Sequence, residues 1–199
     1  MKISKVILAS KSPRRRELLD QIKVEYECIP STMEEIMEGD TPFEIVCSLS
    51  KQKISDVYNK IKDEIKENTL IISADTIVAF GDRILGKPRD EQDALEMLTM
   101  LSGKAHQVYT GVSIMYVNNG ETRMHTFYEC SDVFVSELSR ENIIEYIATK
   151  EPMDKAGSYG IQGYFAKYVE KIDGDYNNIV GLPISRLYRE AKDKFNIEL

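Results

Sequence analysis

Apolar positions along the chain follow two periods. Residues 6–9 are a continuous apolar run, 70–80 are apolar but for Ser73, Asp75 and Thr76, and 107–117 and 122–135 are longer segments rich in β-branched and aromatic residues. Such runs predict strands, the continuous ones buried on both faces. Residues 24–30 alternate well enough for a further strand, Gly81-Asp82 turns into a short returning strand that Lys87-Pro88 closes, and 165–172 read as a last strand. Elsewhere apolar residues recur every three to four positions, which predicts helices. One starts at Pro13 with Leu18 and Leu19 inward. A long one runs over 42–59 on Phe43, Val46, Cys47, Leu49, Ile54 and Val57, and the charged stretch 60–68 ends or restarts it. Others carry Ala94, Leu95, Leu98 and Leu101; Ile143, Ile144 and Ile147; and Leu187 and Ala191.

Local signals set the boundaries. Thr41-Pro42-Phe43-Glu44 is a capping box with proline at the first helical position. Asp90 and Ser139 cap the third and fourth helices, Gly103 stops the third, and Asn119-Gly120 marks a hairpin between the two long strands. Ser12 reads as the cap of the first helix. Residues 151–163 carry three glycines and a proline and predict a long loop, a length that is uncommon without a function; 177–183 predict another. Mixed strands and helices in this order indicate an α/β sheet with helices on its faces.

Two stretches break local rules. Arg14, Arg15 and Arg16 fall in the first turn of a helix, where cations are disfavoured. An anion cradled by backbone N–H groups, hydroxyls and arginine forks resolves the conflict; the alternative is that the arginines fan into solvent or pair with Glu17 and Asp20. Asp75 sits in the middle of the strongest buried-strand signal. A carboxylate there survives by pairing, by coordinating a metal or by facing a cleft, which makes Asp75 the leading candidate for chemistry. The bland alternative is a carboxylate satisfied by backbone or by a buried lysine. Glu34, Glu35, Glu38 and Asp40 form an acidic loop that reads on its own as a solvated face. Lys51 and Lys53, on an amphipathic helix, read as solvent-facing.

Composition narrows the partners. The 199 residues fit one domain, and a net charge of −7 suits a small anionic ligand better than a nucleic-acid backbone. Arg14 to Arg16 with a tyrosine such as Tyr159 could suggest RNA, but no continuous basic stripe accompanies them. Cys28, Cys47 and Cys130 form no C-x-x-C pair and fit a reducing compartment. Neither an apolar run of membrane-spanning length nor a signal-peptide pattern is visible, so the expected location is the cytoplasm. Neither G-x-G-x-x-G after a strand nor G-x-x-x-x-G-K-[ST] occurs, which excludes the common nucleotide-binding loops.

Leu8-Ala-Ser-Lys-Ser-Pro-Arg-Arg-Arg-Glu-Leu-Leu19, Ala74-Asp-Thr-Ile-Val78, Gly86-Lys-Pro88, Leu101-Ser-Gly-Lys-Ala-His106, Glu151-Pro-Met-Asp-Lys-Ala-Gly157, Tyr159-Gly-Ile-Gln-Gly163 and Val180-Gly-Leu-Pro183 together resemble the Maf family of nucleoside triphosphate pyrophosphatases. These are associated with septum formation and nucleotide-pool cleaning. The resemblance covers nearly the whole chain. It implies a two-lobed mixed sheet with flanking helices, similar to inosine triphosphate pyrophosphatases, with the active-site cleft between lobes. It also implies hydrolysis of a nucleoside triphosphate to the monophosphate and pyrophosphate with a divalent cation, Mg²⁺ or Mn²⁺, and a homodimer.

Carried over position by position, Asp75 matches the family's proton acceptor, and it could equally bind the metal. Ser10, Arg14 and Arg15 match the phosphate loop, Lys53 and Lys87 match lysines lining the cleft, and Glu34 falls near an acidic, metal-type position. Arg14, Thr76 and Gln162 match the positions that distinguish the dTTP/UTP class, with modified pyrimidine nucleotides as further candidate substrates. Ser50, Ile54 and Ser73 stand where small residues, alanine or glycine, are frequent in the family. A different class of function also fits: a nucleotide-sensing regulator of division that binds triphosphates without hydrolysing them.

Overall fold

The structure is a computed structural model that describes residues 3–65 and 68–199. Its seven-stranded sheet has the order β2-β1-β3-β5-β6-β7, with β4 paired to β3. The strands are β1 Lys5–Leu8, β2 Glu27–Cys28, β3 Thr69–Phe80, β4 Arg83–Leu85, β5 Ala105–Asn118, β6 Glu121–Val135 and β7 Val169–Asp173. The helices are α1 Pro13–Gln21, α2 Pro42–Ile61, α3 Glu91–Leu101, α4 Arg140–Ala148, α5 Tyr176–Val180 and α6 Ile184–Phe195. β1 is parallel to both β2 and β3, whereas β3–β4 and β6–β7 are antiparallel. This is the mixed α/β class that the alternating pattern predicts. No helix among the described residues is long and apolar enough to cross a membrane.

The chain divides into two compact units, the first made of the described parts of Met1–Asp75, Thr110–Glu129 and Gly181–Leu199 and the second of Thr76–Tyr109 and Cys130–Val180. In the first, Ile54, Val57 and Ile61 of α2 pack on Ile7 of β1, Ile71 of β3, and Met115 and Val117 of β5. α2 approaches β5 closely at Gly111, where a Cβ would lie 2.3 Å from the Val46 carbonyl oxygen. In the second, Leu98 and Leu101 of α3, Tyr146 and Ile147 of α4 and Val133 of β6 enclose Phe165 and Tyr159.

The capping box at Thr41 and Glu44 forms as predicted, and Asp90 and Ser139 accept from the third-position N–H groups of their helices. Ser12 does not cap α1. The Ser10 hydroxyl accepts from the Ser12 N–H at 3.1 Å, a local side-chain turn that leads the chain into α1. Four further expectations change. The strand expected over 24–30 shrinks to Glu27–Cys28, and the strand expected over 165–172 opens with a 3₁₀ turn, Tyr164–Tyr168. The loop expected over 177–183 begins as α5, and the 151–163 loop holds two 3₁₀ turns, Glu151–Asp154 and Ala156–Ser158. Of the charged stretch 60–68 expected to end α2, residues 66 and 67 lie outside the described residues, and α2 ends at Ile61.

Candidate active site

Within the first unit, four of the residues singled out from sequence lie together. β1 delivers Ser10 at its exit, and α1 follows with Arg14 and Arg15 in its first turn. The Arg15 guanidinium donates from Nε to the Gly181 carbonyl at 2.7 Å and from Nη1 to the Ser10 hydroxyl at 3.4 Å. It is thereby fixed between α1 and the segment leading into α6. Burial lowers its pKa, opposed by the charge of Asp75 and assisted by that of Arg14; Glu35 also opposes it. An arginine in that position keeps its charge and presents it as a rigid fork.

Asp75 lies on the face of β3 that meets α2. Lys53, from the fourth turn of α2, donates to Asp75 Oδ1, and both side chains are nearly buried, 13% and 12% exposed. The same ammonium reaches Glu35 Oε1 at 3.0 Å. Lys53 is therefore not the solvent-facing lysine that helix spacing suggests, and Asp75 is satisfied by a lysine, the bland alternative of the sequence reading. Two carboxylates and two cations, Lys53 and Arg15, balance one another in one place, and the near-burial of the Lys53–Asp75 pair strengthens that interaction, while Glu35 is about half exposed.

Two buried serines, Ser73 and Ser50, fasten α2 to β3 beside this pair. The Ser73 hydroxyl donates to the Ser50 carbonyl at 2.7 Å, and the Ser50 hydroxyl is hydrogen-bonded to that of Ser113 at 2.9 Å. All three serines are buried. Each of these buried hydroxyls has a partner, which is what burial demands.

The acidic loop contributes through Glu35. Glu34, the residue carried over from the family, is exposed. No periodic signal separates the two; only proximity to a helix lysine, invisible in sequence, does so. Among the described residues no group of three His, Cys, Asp or Glu side chains could hold a metal by itself. Asp75 and Glu35 do converge on one cation, however, and a magnesium-type ion needs only one or two carboxylates when phosphate oxygens and water complete its shell. The donor set therefore fits a hard cation bound jointly with a polyphosphate and does not fit an all-protein cage.

Thr76, Lys87 and Gln162 belong to the second unit. Thr76 follows Asp75 on β3, and the two-residue period of a strand turns its side chain to the opposite face. Lys87 is exposed in the connection from β4 to α3, and the neighbouring Gly86 carbonyl accepts from the Gly157 N–H at 3.0 Å. Gln162 is exposed on a turn spanning 160–163. Tyr159, the ring that an RNA-binding reading would use, is buried and hydrogen-bonded to His106 at 2.7 Å.

A family model described as Maf-like protein matches residues 5–194. The chain belongs to the Maf family. Curated relatives agree with that placement over almost their full lengths. A protein of Agathobacter rectalis named dTTP/UTP pyrophosphatase is 50% identical, the match covering 96% of this chain and 97% of the relative. A protein of the same name from Lachnoclostridium phytofermentans is 51% identical over 98% of this chain and 96% of its own. One from Bacillus cereus is 51% identical over 98% and 97%. The Maf match thus takes in every residue placed above, from Ser10 to Gly181.

Proposed function

We propose that this Maf protein hydrolyses dTTP and UTP to the nucleoside monophosphate and pyrophosphate. The observation that carries the reading is the buried Lys53–Asp75 pair, with Glu35 and Arg15 beside it, in a chain about half identical to relatives named for that reaction. A water oxygen attacks the α-phosphorus, the bond from that phosphorus to the bridging oxygen breaks, and pyrophosphate leaves with the electron pair. The water's proton passes to Asp75 or, through it, to solvent. Little covalent chemistry is asked of the protein, so positioning and charge do most of the work.

Arg15, held by Gly181 and Ser10, binds phosphate oxygens as a fork, and Arg14 and Lys87 add charge to the triphosphate. Lys53 orients Asp75 while it aligns the water. A bound Mg²⁺ or Mn²⁺ would neutralise phosphate charge, and Asp75 and Glu35 are the side chains that would hold it. Gln162 and Thr76 are assigned to the base. The Gln162 amide both donates and accepts, as the edge of uracil or thymine requires. A cytoplasmic location, a homodimer and a link to cell division belong to the same proposal and rest on family membership. Product analysis tests the bond cleaved: dTMP with pyrophosphate is expected from dTTP, and dTDP with orthophosphate would overturn the reading.

A further inference from the structure

The turn that carries Gln162 is gripped by one carboxylate. Glu151, at the head of the 151–163 segment, accepts from the Tyr146 hydroxyl through Oε1 at 3.0 Å and from the Tyr164 N–H through Oε2 at 3.0 Å. The Tyr146 hydroxyl in turn accepts from the Gly160 N–H at 3.2 Å. Gly163 N–H closes the turn onto the Gly160 carbonyl at 3.4 Å. Both ends of the turn, Gly160 and Tyr164, are therefore tied to the same Glu151–Tyr146 unit.

The fit is close. A Cβ on Gly163 would lie 2.2 Å from Glu151 Oε1, and one on Gly160 would lie 2.6 Å from Cε of Lys155. Lys155 itself donates to the Glu151 carbonyl at 2.6 Å. Tyr146 is fully buried on α4, its ring stacked on Tyr164 and packed on Phe165 at centroid distances of 6.1 and 5.1 Å. Between the anchored ends, Ile161 turns inward, 7% exposed, and Gln162 faces out. A long polar side chain on a glycine-flanked turn has little to fix its direction unless the backbone beneath it is held, and a site loses selectivity when its supporting groups are loose.

The geometry points to Glu151, acting through Tyr146, as a positioning residue that sets base selectivity by fixing the backbone under Gln162. This rests on the assignment of Gln162 to the base. Acting through the backbone under Gln162, Glu151 affects recognition of the base and not placement of the triphosphate.

The test compares Glu151→Gln, Tyr146→Phe and Gln162→Ala with the wild type. It measures kcat and KM for dTTP, UTP, dCTP and dGTP, inhibition by pyrophosphate, and thermal melting. Tyr146→Phe keeps the packed ring and removes only the hydroxyl, so it reports on the brace in a folded protein. Both brace variants are expected to raise KM for dTTP on the order of tenfold and to shrink the preference for dTTP over dCTP. Inhibition by pyrophosphate should stay within about twofold. An unchanged preference in both, or an equal loss on every nucleotide, overturns the inference. If Gln162→Ala changes the preference and the brace variants do not, the inference falls and the base assignment stands. If Gln162→Ala also leaves the preference unchanged, the base assignment falls and takes the inference with it.

Discussion

Lys53 and Asp75 come from the middle of α2 and the middle of β3, 22 residues apart, and form an ion pair in which both side chains are nearly buried. Removing one member of such a pair costs more than the pair contributes, because the partner charge stays desolvated. Lys53→Met should lower the unfolding free energy by about 3 kcal/mol and abolish turnover. Adding Asp75→Asn to it should recover much of the stability and none of the activity. Urea titration of the wild type and the two variants checks this, and a Lys53→Met protein as stable as the wild type would contradict the buried pair.

Arg15 offers a test of fork geometry. Its Nε and Nη1 reach the Gly181 carbonyl and the Ser10 hydroxyl together, which a lysine cannot do. Arg15→Lys keeps the charge, yet KM for dTTP should rise by about tenfold, roughly the 1.4 kcal/mol expected for loss of one charge-assisted hydrogen bond. Steady-state kinetics with an unchanged KM would show that charge alone suffices there.

Much of this architecture was legible because long periodic elements dictate themselves. The capping box at Thr41 and Glu44, the 70–80 run and the Asn119-Gly120 turn, with φ of 48° and 81°, all appear where expected. Short elements depended on tertiary contacts. Phe165 reads as strand, but its ring packs against Tyr159 at 4.8 Å and Tyr146 at 5.1 Å, and a 3₁₀ turn delivers it there. Ile144 reads as inward but is 50% exposed, since Ile143, Tyr146 and Ile147 already form the buried face. Asp75 was visible from the residues alone as a carboxylate in an apolar strand. Lys53 was not, because helix spacing cannot say which lysine ends beneath the sheet, and Glu35 lay in a segment without period.

The seating of α2 can be tested far from the chemistry. A Cβ at Gly111 would lie 2.3 Å from the Val46 oxygen and 2.4 Å from its carbonyl carbon, so backbone would have to move. Gly111→Ala should destabilise the protein by about 3 kcal/mol and, by shifting the helix that carries Lys53, lower kcat. Thermal melting together with kinetics checks both, and a neutral substitution would mean that α2 is not held against β5 at this point.

Acid sensitivity should centre on His106. Burial pushes its pKa down from 6.5 to about 4, with Asp132 opposing, and the ring has Nδ1 without a hydrogen-bond partner among the described residues. The unfolded chain binds a proton between pH 6.5 and 4 that the folded one does not, so stability is complete above pH 6.5 and falls as pH drops through that window. The loss amounts to about 3 kcal/mol. Asp56, held down to about 2 first by its bond to Lys60, adds a separate loss below its ordinary value of 3.8. Denaturant unfolding from pH 7 to 4 should show the first decline, and His106→Gln should flatten it; an equally steep decline in that variant would remove His106 as its source.

The central claim is that Asp75, held by Lys53, serves hydrolysis of dTTP and UTP. The most direct measurement is pyrophosphate release from dTTP, UTP, CTP, GTP and 7-methyl-GTP, with Mg²⁺ or Mn²⁺, by the wild type and by Asp75→Asn, alongside triphosphate binding to both. The account predicts turnover of dTTP and UTP that disappears in the variant while the nucleotide still binds. Substantial turnover by Asp75→Asn, or a wild type that binds triphosphates and releases no pyrophosphate, would contradict it.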